Sequence, residues 1–235
     1  MQAVVLCGGL ATRMLPATEQ VPKILLPVAG QPFLYLLAER LIASGYDHVL
    51  LLAGHLADQV EREAAALGPS FEVVRDPGRL LGTAGALAAA RQRLDEKFLV
   101  TYGDSFLTFD YAAPLRGLRN APRALGCMAV WKNEDRLEPS NVAVRDRKVV
   151  RYDKTRAPGS PALDHIDYGA TALRRSALDG ISTSEPSGLD ALTARLAGDG
   201  SLAAYVVTTR FYEIGSPQGL ADLEALLDPD APDPE

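Results

Sequence analysis

The sequence predicts an α/β protein: a Rossmann-like, doubly wound mixed sheet, mostly parallel, with a small partly antiparallel lobe. Three observations predict it. Apolar strand-like runs at 2–6, 48–53, 71–75 and 97–102 alternate with helical patterns at 32–44, 56–66 and 84–93, the order that parallel strands joined by crossover helices require. After Asp104 the runs become short, at 126–132, 141–145, 148–152 and 166–174, with charged turns such as Asp146-Arg147-Lys148 between them, as in antiparallel strands. Finally, 235 residues suffice for one large covered core and fall short of two catalytic domains. One domain over 1–227 is expected, followed by a frayed, acidic, proline-rich tail at 228–235.

Taken in order, the first strand runs through Ala3-Val4-Val5-Leu6 and breaks into Cys7-Gly8-Gly9-Leu10-Ala11-Thr12-Arg13-Met14. Paired glycines at a strand end let backbone N–H groups approach a ligand with no Cβ in the way, and Arg13 and Lys23 lie within reach of a bound anion. Pro22-Lys23-Ile24-Leu25-Leu26-Pro27 then leads to the first helix, marked by Pro32 in its first turn, Leu34, Leu37 and Leu41 on one face, and Gly45 to end it. Leu81-Gly82-Thr83-Ala84-Gly85-Ala86-Leu87 reads as a loop opening a helix of small residues, either a tightly packed helix start or a seat for a flat ring. The fourth strand, Phe98-Leu99-Val100-Thr101-Tyr102, delivers Gly103-Asp104 at its carboxyl end. In an open α/β sheet that end faces the ligand crevice, so Gly8-Gly9 and Asp104 are expected to line one pocket. Asp104 suits a hard divalent cation or a turn cap. The turn-rich stretch 156–164 is expected to form a mobile loop over the pocket.

Bulk properties exclude several functions. The formal net charge of −6, with Lys and Arg scattered, gives no nucleic-acid or anionic-membrane footprint. No secretory leader and no apolar run of membrane-spanning length occurs, so a cytoplasmic protein is expected; the assembly expected is a monomer or a homodimer. Cys7 and Cys127 form neither a disulfide framework nor a zinc site, and Cys7 reads as a small apolar residue beside the glycines. His48, His55 and His165 lack metal-ligand spacing, and no Gly-x-Ser-x-Gly elbow is present. The two common phosphate loops, Gly-x-x-x-x-Gly-Lys-Ser/Thr and Gly-x-Gly-x-x-Gly, are also absent.

The N-terminal glycines with Thr12-Arg13, followed by Pro22-Lys23-x-x-x-Pro27, resemble the signature of the sugar-1-phosphate nucleotidylyltransferases, and the resemblance extends from Met1 to about Leu227. It implies transfer of a nucleotidyl group from an NTP to a sugar 1-phosphate with Mg²⁺ as cofactor. Leu6, Gly8, Gly9, Thr12 and Arg13 would then hold the nucleotide, Gly82 and Thr83 its base, and Lys23 would bridge the α-phosphate and the sugar phosphate. Arg13 would neutralise the leaving pyrophosphate. Asp104 matches the family's metal-binding Gly-Asp, and Glu213, in Tyr212-Glu213-Ile214-Gly215-Ser216-Pro217, stands where the family carries Asp. Read without the resemblance, Glu213 is a solvated acid beside a helix started by Ser216-Pro217. Asp153-Lys154 matches a Glu-Lys pair that holds sugar hydroxyl and phosphate; Asp167-Tyr168-Gly169 matches an Asn-x-Gly segment at the sugar, and Asn141 is a further candidate for a sugar hydroxyl or a turn. Asp167 is an acceptor only where Asn both donates and accepts. Ala11 replaces a glycine, and Asp76 and Arg79 precede Gly82 where relatives place Gln or Glu, which leaves the base reader unassigned. Members of this short length include heptose-1-phosphate guanylyltransferases, muramate- or glucose-1-phosphate uridylyl- and cytidylyltransferases and phosphocholine cytidylyltransferases, and the Gln31-Pro32-Phe33-Leu34 and Tyr212-Glu213-Ile214-Gly215-Ser216-Pro217 phrases lean towards the heptose group. Uridylyl-, cytidylyl- and thymidylyltransferases and a non-catalytic nucleotide sensor are the alternatives. A glycosyltransferase would carry Asp-x-Asp, and Asp104-Ser105-Phe106 does not.

Overall fold

A computed structural model describes residues 1–9, 14, 16–76, 81–156 and 163–228. In chain order the strands are β1 (Gln2–Leu6), β2 (Pro27–Val28), β3 (Gln31–Pro32), β4 (His48–Ala53), β5 (Phe71–Arg75), β6 (Lys97–Tyr102), β7 (Ser105–Phe106), β8 (Gly126–Lys132), β9 (Val142–Arg145), β10 (Lys148–Tyr152), β11 (His165–Arg174), β12 (Leu202–Val207) and β13 (Tyr212–Glu213). The helices are α1 (Phe33–Ala43), α2 (Ala57–Leu67), α3 (Gly82–Ala89), α4 (Ala113–Arg119), α5 (Leu189–Gly198) and α6 (Pro217–Leu227).

Nine strands form one sheet in the order β5-β4-β1-β6-β11-β8-β12-β10-β9. β5, β4, β1 and β6 are parallel, as the alternating pattern predicts. β11 pairs antiparallel with both β6 and β8 and so joins the two halves. The far half, β11, β8, β12, β10 and β9, belongs to the same sheet because β11 has ladder partners on each side; it is mainly antiparallel, with β12 running parallel to β8.

Period-two alternation divides the core between the two faces. Ala3, Val5, Val49 and Leu51 pack with Leu34, Leu37 and Leu41 of α1 and Val60 of α2 on one face. Val4, Leu50, Leu52 and Phe98 pack with Leu87 of α3 and Leu192 and Leu196 of α5 on the other. β1 is buried at every position, so Ala3 to Leu6 read as a continuous apolar run, and the buried Gln2 amide donates to the Arg93 carbonyl and accepts the Asp95 N–H. α1 closes as its sequence foretells: Gly45 takes φ +85° just beyond Ser44, and the Tyr46 N–H returns to the Leu41 carbonyl. The helix expected at 84–93 runs from Gly82 to Ala89 and is followed by a separate 3₁₀ turn, Arg91–Arg93. No helix among the described residues is long and apolar enough to cross a membrane.

Candidate active site

β1 sits between β4 and β6, so the chain leaves the sheet in opposite directions on either side of its carboxyl end, which is where open α/β sheets place ligands. A cavity of about 500 Å³ opens there, lined by Leu6, Gly8, Gly9, Lys23, Asp76, Gly82, Thr83, Tyr102 and Asp104 together with Cys7, Ile24, Leu52, Ala86 and Gly103. The strand ends meet closely: a Cβ on Gly103 would lie 2.9 Å from the Cys7 Cβ and 3.1 Å from Ile24 Cδ1, so only glycine lets β6 deliver Asp104 beside the end of β1. Cys7 behaves as the sequence predicts. Its thiol donates to the Leu52 carbonyl at 3.3 Å, and burial, with Asp76 nearby, pushes its pKa up to about 12.

The Gly82-Thr83 corner is both a packed helix start and a cavity wall. Gly82 adopts φ +69°, and a Cβ there would come within 2.5 Å of the Ser187 carbonyl oxygen. That carbonyl accepts the N–H groups of Ala84 and Gly85, which satisfies two donors at the start of α3. The Thr83 hydroxyl oxygen accepts the Leu189 N–H at 2.7 Å and so pins α3 to α5 while Thr83 lines the cavity.

Asp76 follows β5 and projects into the same cavity; its Oδ2 would lie 3.3 Å from a Cβ on Gly8 and 2.8 Å from one on Gly54. No hydrogen bond or ion pair reaches this carboxylate among the described residues, and burial raises its pKa above the usual carboxylate value. Sequence reasoning left the base reader unassigned because Asp76 and Arg79 stand where relatives place Gln or Glu.

A second cavity of about 270 Å³ adjoins the first through Tyr102 and Asp104, which line both. Its other walls include Asn141, Lys154, Asp167, Tyr168, Gly169 and Glu213, six of the residues the sequence singled out, with Tyr152 and Phe211 adding aromatic surface. β11 brings its contribution by an irregularity: its pairing with β8 shifts between Asp167 and Thr171, and Gly169 within the shift has φ +82°. The Asp167 carboxylate accepts the Gly169 N–H at 2.9 Å, and its own N–H donates to Asn141 Oδ1 at 2.9 Å. Burial raises the Asp167 pKa, against the opposing pull of the Gly169 N–H, Lys154 and the Tyr152 hydroxyl. Asn141 thus orients Asp167 as well as lining the cavity.

On the seam between the cavities, Lys23 Nζ stands 3.0 Å from Asp104 Oδ2, both side chains more than two-thirds buried. Across a two-residue ribbon, β13 pairs with β7 so that Glu213 faces Ser105, and the Ile214 N–H donates to the Asp104 carbonyl at 2.9 Å. The two acids expected to share a cation are therefore neighbours, although β7 and β13 lie more than a hundred residues apart.

Asp153 does not join this group. Its Oδ1 accepts from the Thr155 N–H, the Thr155 hydroxyl and the Arg156 N–H, and its Oδ2 accepts from Arg151, so it builds a turn and lines neither cavity. These donors, led by the Thr155 hydroxyl, hold its pKa down. Its lysine neighbour alone reaches the site. Thr12, Arg13 and Ala11 of the first loop, Arg79, most of the 156–164 loop and the tail from 229 lie outside the described residues. Sequence reasoning gave no role to Tyr102 or to Ser105, Glu138 and Phe211 of the smaller cavity; the signal for Tyr102 was its place immediately before Gly103-Asp104.

Residues 3–182 match the family described as the MobA-like NTP transferase domain. The mannose-1-phosphate guanylyltransferase of Mycobacterium tuberculosis is 31% identical over 247 residues, covering 95% of this chain and 64% of that protein. The catalytic subunit beta of mannose-1-phosphate guanylyltransferase from Xenopus tropicalis is 28% identical over 230 residues, covering 93% of this chain and 62% of its own. The chain thus spans less than two-thirds of the length of these relatives. Among solved structures, HddC from Yersinia pseudotuberculosis complexed with GMP-PN superposes with a TM-score of 0.79 at 22% identity, over 97% of this chain and 99% of that one.

Proposed function

The chain belongs to the MobA-like NTP transferase domain family, and from that premise we propose that it transfers a nucleotidyl group from an NTP to a sugar 1-phosphate, releasing pyrophosphate. One observation carries the reading: Asp104, with Lys23 at 3.0 Å, stands on the wall shared by a glycine-bordered cavity large enough for a nucleotide and a smaller one holding Lys154 and polyol-compatible side chains. The reaction joins two phosphates, and a seam bearing cations and acids between two cavities is where they would meet.

A phosphate oxygen is ionised at neutral pH and attacks the α-phosphorus without a general base, so the protein's tasks are alignment and charge neutralisation. In this reading the Gly8 and Gly9 amides approach the triphosphate, Lys154 holds the incoming phosphate, and Lys23 leaves Asp104 to sit between the two reacting phosphates. Arg13, by the role the family resemblance implies, would neutralise the departing pyrophosphate. Oxygen donors of the Asp104 and Glu213 type suit Mg²⁺, which would offset triphosphate charge and polarise the α-phosphorus. No group of three or more His, Cys, Asp or Glu that could hold a metal occurs among the described residues, so phosphate and water oxygens would complete its shell.

GTP is the donor we assign, on the strength of Asp76. A carboxylate that lines the larger cavity with no hydrogen-bond or ion-pair partner among the described residues can accept two parallel N–H groups, and guanine alone of the common bases offers N1–H and N2–H₂ side by side. The guanylyltransferase relatives point the same way. A heptose 1-phosphate is the acceptor favoured by the sequence, with mannose 1-phosphate beside it. Pyrophosphate release with Mg²⁺, each of five NTPs, and heptose, hexose and muramate 1-phosphates tests the whole. Release that needs GTP and one sugar phosphate is expected; nucleotide binding with silence across the panel would leave a sensor.

A further inference from the structure

The extra methylene of Glu213 is absorbed in a specific way. Its carboxylate folds back onto the start of α6, where Oε2 accepts the Gly215 N–H at 2.7 Å and Oε1 accepts the Ser216 hydroxyl at 2.7 Å. The same Ser216 Oγ accepts the Gly219 N–H at 3.1 Å, the N-cap bond of α6. Room for this arrangement comes from Gly219: a Cβ there would fall on the Glu213 carbonyl oxygen and 2.7 Å from Oε1. Ser216 thus caps a helix with its lone pair and restrains an acid with its proton.

We propose that Ser216 is a positioning residue that fixes Glu213 as the second acidic partner, beside Asp104, of the cation that accompanies the nucleotide. The inference rests on the transferase reading above. A free Glu side chain has three rotatable bonds, whereas Mg²⁺ and Mn²⁺ demand near-ideal octahedral placement of their oxygens. Two short hydrogen bonds remove that freedom. Each uses one lone pair per oxygen and leaves others for the smaller cavity, which Glu213 lines with Asp104. Partners that orient a ligating carboxylate commonly govern metal affinity by about 10- to 100-fold.

Three substitutions separate positioning from capping. Ser216→Thr keeps both the acceptor and the proton. Ser216→Asp keeps a good N-cap but has no proton for Glu213 and sets a like charge beside it. Ser216→Ala loses both. Binding of Mn²⁺ to the full chain, saturated with a non-hydrolysable GTP analogue, is read from the spectrum of free Mn²⁺, with thermal unfolding in parallel. Wild type and Ser216→Thr should bind alike, while Ser216→Ala and Ser216→Asp should each weaken Mn²⁺ about tenfold, with the thermal midpoints reporting separately on the cap that Ser216→Ala loses. Wild-type Mn²⁺ affinity in Ser216→Ala would overturn the proposal and leave Ser216 as a helix cap only. If the wild type binds no Mn²⁺ with nucleotide and releases no pyrophosphate, the transferase reading falls and this inference with it; pyrophosphate release with unchanged Mn²⁺ affinity in every variant overturns the inference alone.

Discussion

The two halves of the sheet build their cavities by different means. At the parallel half, β4, β1 and β6 end in glycines or next to them, and the larger cavity is mostly backbone and apolar wall with Lys23, Asp76 and Asp104 as its ionisable side chains apart from Cys7 and Tyr102. At the antiparallel half, side chains from β10, β11 and β13 and from the loops before β9 and after β10 converge, and four acids and one lysine line a cavity about half as large. A triphosphate is the same in every NTP, so close backbone approach suffices to hold it; a glycon is recognised hydroxyl by hydroxyl, and that takes side chains. The contrast predicts that substitutions on one side leave affinity for the other substrate intact, except on the seam.

The seam should show the largest effects. Asp104→Asn removes the charge on the wall that the two cavities share, and Lys23→Ala removes its ion-pair partner in the larger cavity; for each we expect turnover to fall by about 10²- to 10³-fold, with the KM of both substrates affected. Asp104→Asn should also flatten the Mg²⁺ titration. Steady-state kinetics against each substrate checks this; an effect confined to one KM would break the idea of a shared wall. Arg13→Ala should likewise lower turnover with the fold intact by circular dichroism, and near-normal turnover would remove Arg13 from the mechanism.

Asp76→Asn sharpens the comparison on the nucleotide side. The amide still accepts one N–H but opposes the second guanine donor with a donor of its own, so the preference for GTP over other NTPs should shrink by about 10- to 100-fold. KM for the sugar phosphate should not move. An unchanged nucleotide preference would take the base-reading role from Asp76.

What the sequence made legible follows the same division. The parallel half was readable because each of its devices is local: a buried apolar run, the glycines that end it, the capped helix after Pro32, the acid after Gly103. Glu213 and Lys154 were found through short motifs as well. The sequence could not show that β11 runs between β6 and β8, since strand order depends on pairing across the sheet and period-two alternation is blind to it. Nor could it separate Asp153 from Lys154. Both sit in one tripeptide, yet the acid turns back on Thr155, Arg156 and Arg151 while the lysine enters the cavity. Ser216 was legible as a cap, but its second bond, to Glu213, needed coordinates.

Asp167→Asn gives the smallest effect and the cleanest separation of the halves. Burial raises the Asp167 pKa above its unfolded value, so between those two values the native state holds more proton than the unfolded chain. Stability contributed by this group therefore falls as pH rises through that window, and above it the charged carboxylate weighs against the fold in full. Below the unfolded value both states are protonated and the penalty is gone. Asn cannot titrate; its carbonyl still accepts the Gly169 N–H, and the Tyr152 hydroxyl can turn to accept from its amide. Asp167→Asn should accordingly melt above the wild type at pH 7.5, with the gap closing as pH is lowered towards about 4. Its KM should shift for the sugar 1-phosphate and not for GTP. A gap that persists or widens in acid would mean that Lys154, Tyr152 and Gly169 together outweigh burial, and that the antiparallel half holds Asp167 as an anion at no cost to the fold.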